Sequence, residues 1–104
     1  MQTLHTPTDA ARWLRARVTG ALQADSRRVG AGDGFVAWPG AATDGRAHVA
    51  AALAQGATAC LVEAQGVDAF AFQGDAIAAY ADLKAATGPM AAAYYEHPSR
   101  QLGR

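Results

Sequence analysis

The sequence predicts an α/β domain built on a small mixed, partly parallel sheet of four or five strands, with helices on both faces. Two apolar runs, residues 35–38 and 58–62, lack the polar alternation of half-exposed strands and are typical of strands covered on both sides. Between them lies a predicted helix over residues 46–55, and Gly56 fits its end. Strand, helix and strand in this order predict a βαβ unit over residues 35–62.

A helix and a short strand are predicted before this unit. Thr8 and Asp9 offer an N-cap, and apolar residues then recur at helical spacing up to Val18, with Gly20 closing the helix. A short strand over residues 21–24 follows.

Two further strands and a helical region are predicted after the unit. Short apolar runs at residues 69–72 and 76–80 indicate the strands. Asp82 can cap a following helix, but Gly88 and Pro89 interrupt it, because proline lacks the backbone donor of a helix interior. The interruption predicts a kink or a fresh helix start at the proline.

Composition and charge exclude several classes of protein. The 104 residues carry nine basic and nine acidic side chains, so the net charge is zero and no nucleic-acid partner is expected. No run approaches the ~20 apolar residues of a membrane span, and the first residues lack the pattern of a secretory signal. The single Cys60 excludes an internal disulfide framework. We therefore expect one soluble, cytoplasmic domain with no membrane partner.

Alanine dominates the hydrophobic residues, which make up 51% of the chain, so the core depends on a few large side chains. The candidates are Trp13, Leu14, Phe35, Val36, Trp38, Val49, Leu53, Leu61, Val62, Phe70, Ile77, Leu83, Met90 and Tyr94.

Two segments are candidates for a ligand site, and the first is the loop at residues 39–45. Ligands of open α/β sheets bind beyond the carboxyl ends of strands, and this loop follows such an end. Backbone N–H groups at the start of the next helix and the small Ala41 and Ala42 would admit an anion, with charge from Arg46. The alternative is an ordinary loop before a helix that Asp44 caps.

The second candidate is the polar segment at residues 25–28. Ser26 can donate to a phosphate oxygen or to a uracil-type carbonyl, and Arg27 lies beside it. The alternative is a solvent-exposed turn held by Asp25.

We find no residue set for catalysis or metal binding. The sequence lacks the phosphate-binding loop of ATPases, and its Gly-rich segment at residues 30–34 precedes a strand instead of following one. His5, His48 and His97 lack ligand spacing, and Cys60 is expected to be a small buried residue. The residues alone predict a binding module for at most a small anionic ligand, with no catalytic residue, metal or cofactor in this segment.

A longer pattern resembles a known family. It consists of the motifs DSR, FVA, DGR and LVE and the later segment YYEHPSR, at residues 25–27, 35–37, 44–46, 61–63 and 94–100. In these motifs the chain resembles the N-terminal domain of the Mur ligases of bacterial peptidoglycan synthesis. Within that family it is most similar to the MurE type, the UDP-N-acetylmuramoyl-tripeptide synthetases.

The resemblance implies a UDP-binding domain over residues 1–98 and the start of a connector to a central ATP-binding domain at residues 99–104. It implies that the complete enzyme uses ATP and Mg to add meso-diaminopimelate or L-lysine to UDP-MurNAc-L-Ala-D-Glu through an acyl phosphate. The central and C-terminal domains would be this segment's partners, and the segment alone is expected to be inactive. By motif position the UDP contacts fall on Ala24, Ser26, Ala41, Ala42 and Thr43, with Arg27 and Arg46 as secondary contributors.

A second hypothesis stays open at this point. The alanine-rich helices, and Tyr94 and Tyr95 as expected exposed tyrosines, would also suit an α/β protein–protein interaction module with no nucleotide role.

Overall fold

The computed structural model of the chain describes residues 2–40 and 42–96. Its strands are β1 (Gln2–Leu4), β2 (Leu22–Gln23), β3 (Gly34–Ala37), β4 (Ala59–Glu63) and β5 (Ile77–Tyr80). Its α-helices are α1 (Pro7–Arg15), α2 (Val49–Ala54) and α3 (Leu83–Glu96). Short 3-10 helices cover Ser26–Arg28, Gly45–His48 and Val67–Phe70. The strands form one sheet in the order β1-β5-β4-β3-β2.

The predicted α/β class, the helices on both faces and the βαβ unit are confirmed. In that unit β3 and β4 pair in parallel, with Phe35 opposite Cys60. The sheet was expected to be mixed, and the structure refines this point, because every described pairing is parallel. The physical reason lies in the connections between strands. Each connection returns the chain to the end of the sheet where the previous strand began, whereas antiparallel neighbours can be joined by a tight hairpin.

Two apolar layers cover the sheet. On one face α1 and α3 contribute the buried Trp13, Leu14 and Met90 to the core. On the other face α2 contributes the buried Val49. Leu53, which the helical spacing assigned to the core, is 36% exposed instead, because α2 is short and only one side of it faces the sheet.

The prediction of a strand at residues 69–72 is wrong. A 3-10 helix at Val67–Phe70 occupies this position. Gly66 and Ala71 flank it with φ angles of +72° and +51°. Two left-handed residues so close together reverse the chain and prevent the extended backbone that a strand requires.

Both long helices differ in detail from the prediction. The N-cap of α1 is Thr6, whose hydroxyl accepts the N–H of Asp9 at 3.1 Å, and Pro7 takes the first helical position, where its missing N–H costs nothing. Helix α3 continues through Pro89, so a fresh start at that residue is wrong. The fully buried Met90 packs the second half of α3 against the sheet, and this tertiary contact outweighs the local penalty.

The last turns of α3 cover the outer side of edge strand β2. The Tyr94 hydroxyl donates to the Gly20 carbonyl at 2.9 Å, and the Leu22 N–H donates to the Tyr95 hydroxyl at 2.8 Å. Both tyrosines therefore bond within the domain, although Tyr95 is 52% exposed.

Candidate functional site

An open cleft of about 580 Å³ lies beyond the carboxyl ends of β2 and β3. Because these strands are parallel neighbours, their carboxyl ends lie at the same edge of the sheet, and the two segments singled out in the sequence meet there. The cleft is lined by the strand ends and by the residues that follow them, namely Ala24, Asp25, Ser26, Arg27, Phe35, Val36, Ala37, Trp38, Gly40, Thr43, Gly45 and His48.

The segment after β2 is held by Asp25. Its carboxylate accepts the backbone N–H of Arg27 at 2.9 Å and two guanidinium N–H groups of the same residue at 3.0 and 2.9 Å. The side-chain hydrogen bonds from Arg27 lower the pKa of Asp25 to about 2. Asp25 thus makes the local turn that the alternative interpretation predicted, and this turn presents the half-buried Ser26 to the cleft.

The loop after β3 is a compact turn on the other side of the cleft. Pro39 and Asp44 form an isolated antiparallel bridge. On either side of it, the Gly40 N–H donates to the Thr43 carbonyl at 2.8 Å, and the Gly45 N–H donates to the Trp38 carbonyl at 3.0 Å. A side chain at position 45 would bring its Cβ within 3.2 Å of that carbonyl, so only glycine fits without a local shift.

These hydrogen bonds change the expected chemistry of the loop. The Arg46 N–H donates to the Asp44 carboxylate at 2.9 Å, as the predicted helix cap requires. The amides of Gly40, Gly45 and Arg46 are therefore already bonded within the protein and are not open to an anion. Among the lining side chains, Ser26 and Thr43 are uncharged hydroxyl donors.

Arg46 is buried and points away from the cleft. Its guanidinium bonds the Asp44 carboxylate at 2.8–3.2 Å and donates to the carbonyls of Glu63 at 2.8 Å and Gln65 at 2.6 Å. The hydrogen bond from Arg46 holds the pKa of Asp44 below its usual value. Arg46 does not line the cleft, so the structure gives it no direct contact with a ligand there.

The predicted site residues fall into three groups. Ala24, Ser26, Thr43 and the secondary Arg27 all line the cleft. Ala42 is exposed on the loop but is not part of the lining. Ala41 lies outside the described residues.

Sequence reasoning missed the lining residues outside its two candidate segments, among them Trp38 and His48. Trp38 was assigned to the core, but it is only half-buried and closes one side of the cleft. His48 is exposed at the end of the 3-10 helix that follows the loop. Its position three residues after the loop was the available signal, because one 3-10 turn brings a residue back to the same side.

The described residues contain neither a metal-binding cluster nor a membrane-spanning helix. Within residues 2–40 and 42–96, no three His, Cys, Asp or Glu side chains come together in a way that could hold a metal ion. Over the same residues no helix has the length and apolar character needed to cross a bilayer. His97 lies outside this range.

Comparison with protein families defines the class of this domain. The model of the "Mur ligase family, catalytic domain" matches residues 19–95, which include both sides of the cleft. The chain therefore belongs to the Mur ligase family.

Individual relatives are more specific. A UDP-N-acetylmuramoyl-L-alanyl-D-glutamate–2,6-diaminopimelate ligase of Acidovorax sp. is 60% identical over 98% of this chain and 21% of its own length. The ligase of the same name from Janthinobacterium sp. is 46% identical over 86% of this chain and 18% of its own length. A UDP-N-acetylmuramoyl-tripeptide–D-alanyl-D-alanine ligase of Mycobacterium leprae is 56% identical over 43% of this chain and 9% of its own length. The chain spans about a fifth of the length of the first two relatives.

Proposed function

We propose that the cleft holds the UDP moiety of UDP-MurNAc-L-Ala-D-Glu and that the chain is the N-terminal, substrate-binding part of a MurE-type ligase. In this proposal residues 1–98 form the binding domain and residues 99–104 begin the connector to an ATP-binding domain. Ala24, Ser26, Ala41, Ala42 and Thr43 are the proposed UDP contacts.

One observation carries the proposal: two segments far apart in sequence meet in a single cleft of suitable chemistry. Ser26 and Thr43 bring hydroxyl donors to it, and Arg27 brings a guanidinium that is already paired with Asp25. Trp38 and the ends of the strands supply apolar surface. A nucleoside diphosphate needs both kinds of contact, since its base is flat and its phosphates accept hydrogen bonds.

The proposed activity of the complete enzyme follows the names of the relatives. ATP, with Mg, phosphorylates the D-Glu carboxylate, and an amine of the added amino acid displaces phosphate from the acyl phosphate to form an amide. The names of two relatives favour 2,6-diaminopimelate over L-lysine as that amino acid. The sequence of this chain offers no ATP-binding loop, so we assign ATP and Mg to the central and C-terminal domains. We also propose that the complete enzyme acts in the bacterial cytoplasm.

The interaction-module hypothesis is less well supported. The family match covers both walls of the cleft, and the hydroxyls of Tyr94 and Tyr95 bond within the domain. Neither observation favours a partner protein on that surface.

A titration with UDP tests the proposal. We expect the backbone NMR signals of Ala24, Ser26 and Thr43 to shift most, with weak affinity because one domain supplies only part of the contacts. Losing a hydrogen bond to a charged phosphate costs about 1.5–3 kcal/mol, so Ser26→Ala should weaken binding at least about tenfold.

Control ligands and a control variant sharpen this test. Uridine and pyrophosphate alone should each bind more weakly than UDP, because each uses one part of the cleft. Thr8→Ala removes an exposed hydroxyl on α1 and should leave the affinity unchanged. Shifts that avoid the cleft at millimolar UDP would refute the proposal.

A further inference from the structure

Arg46 connects its own loop to a segment that is distant in sequence. It belongs to the 3-10 helix Gly45–His48, is only 6% exposed, and uses Nε, Nη1 and Nη2 as hydrogen-bond donors. Its partners are the Asp44 side chain and the carbonyls of Glu63 and Gln65, at the end of β4 and just beyond it. A buried guanidinium is tolerated only when it is paired and hydrogen-bonded in this way.

An aromatic side chain covers the guanidinium. The Arg46 Cζ atom lies 4.8 Å from the centre of the Phe70 ring, and Phe72 stacks on Phe70 at 5.3 Å. A ring in this position attracts the cation and keeps water away from its hydrogen bonds, which strengthens them.

Asp44 links this arrangement to the cleft. It forms the base of the compact loop through its bridge with Pro39, and the next hydrogen bond of the loop joins Gly40 to Thr43. Gly40 and Thr43 line the cleft, whereas Arg46 and Asp44 do not. The arginine therefore contacts the base of the loop without lining the cleft.

We propose that Arg46 is a positioning residue that fixes the loop at residues 39–45 in its binding conformation. It would thereby set the affinity of the cleft for UDP without touching the UDP. This inference rests on the proposed function, since the affinity in question is that for UDP. Lysine cannot replace arginine here, because a single ammonium group cannot bond the planar carboxylate at two atoms and two carbonyls at once.

The test uses Arg46→Lys and Asp44→Asn, two variants that weaken the same interaction from opposite sides. Each should fold, as shown by a dispersed NMR spectrum. Each should weaken UDP binding about fivefold, because the loop then has to be ordered during binding. Exchange of the Gly40 and Gly45 amide protons with solvent should accelerate about tenfold in both. Arg12→Lys, on the exposed side of α1, is the matched control and should change neither quantity.

Salt dependence separates positioning from direct contact. In Arg46→Met the slope of log Kd against log salt concentration should equal that of the unaltered chain, since no ligand contact is lost. A shallower slope would mean that the arginine touches the phosphates and would overturn the proposal. So would folded Arg46→Lys and Asp44→Asn proteins with unchanged affinity or unchanged amide exchange.

The outcomes also distinguish the proposed UDP site from the proposed role of Arg46. Failure of the unaltered chain to bind UDP would refute the proposed function and the role of Arg46 in affinity together. Binding that is normal in the variants would refute only the role of Arg46. The amide exchange of Gly45 needs no ligand and decides independently whether Arg46 holds the loop.

Discussion

Replacing Glu63 by glutamine removes one charge from the buried end of β4. In the unaltered chain the Glu63 carboxylate accepts the N–H groups of Leu83 at 2.9 Å, Asp82 at 3.1 Å and Gln65 at 3.1 Å. Leu83 begins α3, and Asp82 before it has a φ of +62°, so the carboxylate caps this helix from another element and holds a strained turn.

The expected loss of stability follows from these bonds. A hydrogen bond to a charged group contributes about 1.5–3 kcal/mol, but the three bonds share one desolvation cost and are not additive. Glutamine keeps one acceptor oxygen and turns an NH₂ group toward N–H donors. We therefore expect Glu63→Gln to lower the free energy of unfolding by about 2–4 kcal/mol, a large part of the ~5–15 kcal/mol typical of a domain this size.

The pH dependence gives a second, independent signature. Burial alone would raise the pKa of Glu63, but the backbone hydrogen bonds outweigh it and hold the pKa below the ordinary value of 4.5. The unfolded chain then binds the proton more readily than the folded one. The stabilisation is complete above the ordinary pKa and is lost as the pH falls through the folded one.

Urea denaturation followed by tryptophan fluorescence measures both effects. At about pH 7 the variant should unfold at lower urea than the unaltered chain, and the gap should narrow as the pH falls below about 4. Asp68→Asn, at an exposed position, should stay within about 0.5 kcal/mol of the unaltered chain. A Glu63→Gln protein as stable as this control, or a gap that does not change with pH, would refute the reasoning.

Three further predictions concern the core and the backbone. Gly56→Ala should cost more than about 1 kcal/mol in a urea titration, because φ is +117° and the new Cβ would lie 2.7 Å from the Ala31 backbone. Burial raises the pKa of Cys60 to about 12, so a thiol reagent near pH 8 should label it only as fast as the domain unfolds. Leu83→Ala, at a fully buried site, should cost about 2–5 kcal/mol by the same titration.

The centre of the fold could be predicted from sequence because its signals are local. Strands β3 and β4 lie largely within the two apolar runs and are buried at every position, and Gly56 follows the helix between them with a positive φ. Strand β1 has no such signal, since Gln2 and Thr3 are polar and exposed. It is a strand only because β5, far along the chain, pairs with it.

The candidate site, like the fold, could be predicted from the sequence only in part. The segments around Ser26 and Thr43 could be selected from their residue types and from the rule that ligands bind at strand ends. The roles of Arg46 and Glu63 could not, because they depend on hydrogen bonds to backbone groups of residues up to 19 and 20 positions away. No side-chain pattern marks such partners before the chain is folded.

The two tyrosine hydroxyls beside β2 have a consequence for self-association. An uncovered sheet edge offers a row of backbone donors and acceptors on which a strand of another molecule can add. Here the Leu22 amide and the Gly20 carbonyl are already occupied by Tyr95 and Tyr94. The end of α3 thus covers this edge of the sheet. Removing the end of α3 would expose the edge of β2 to pairing with strands of other molecules and so to precipitation.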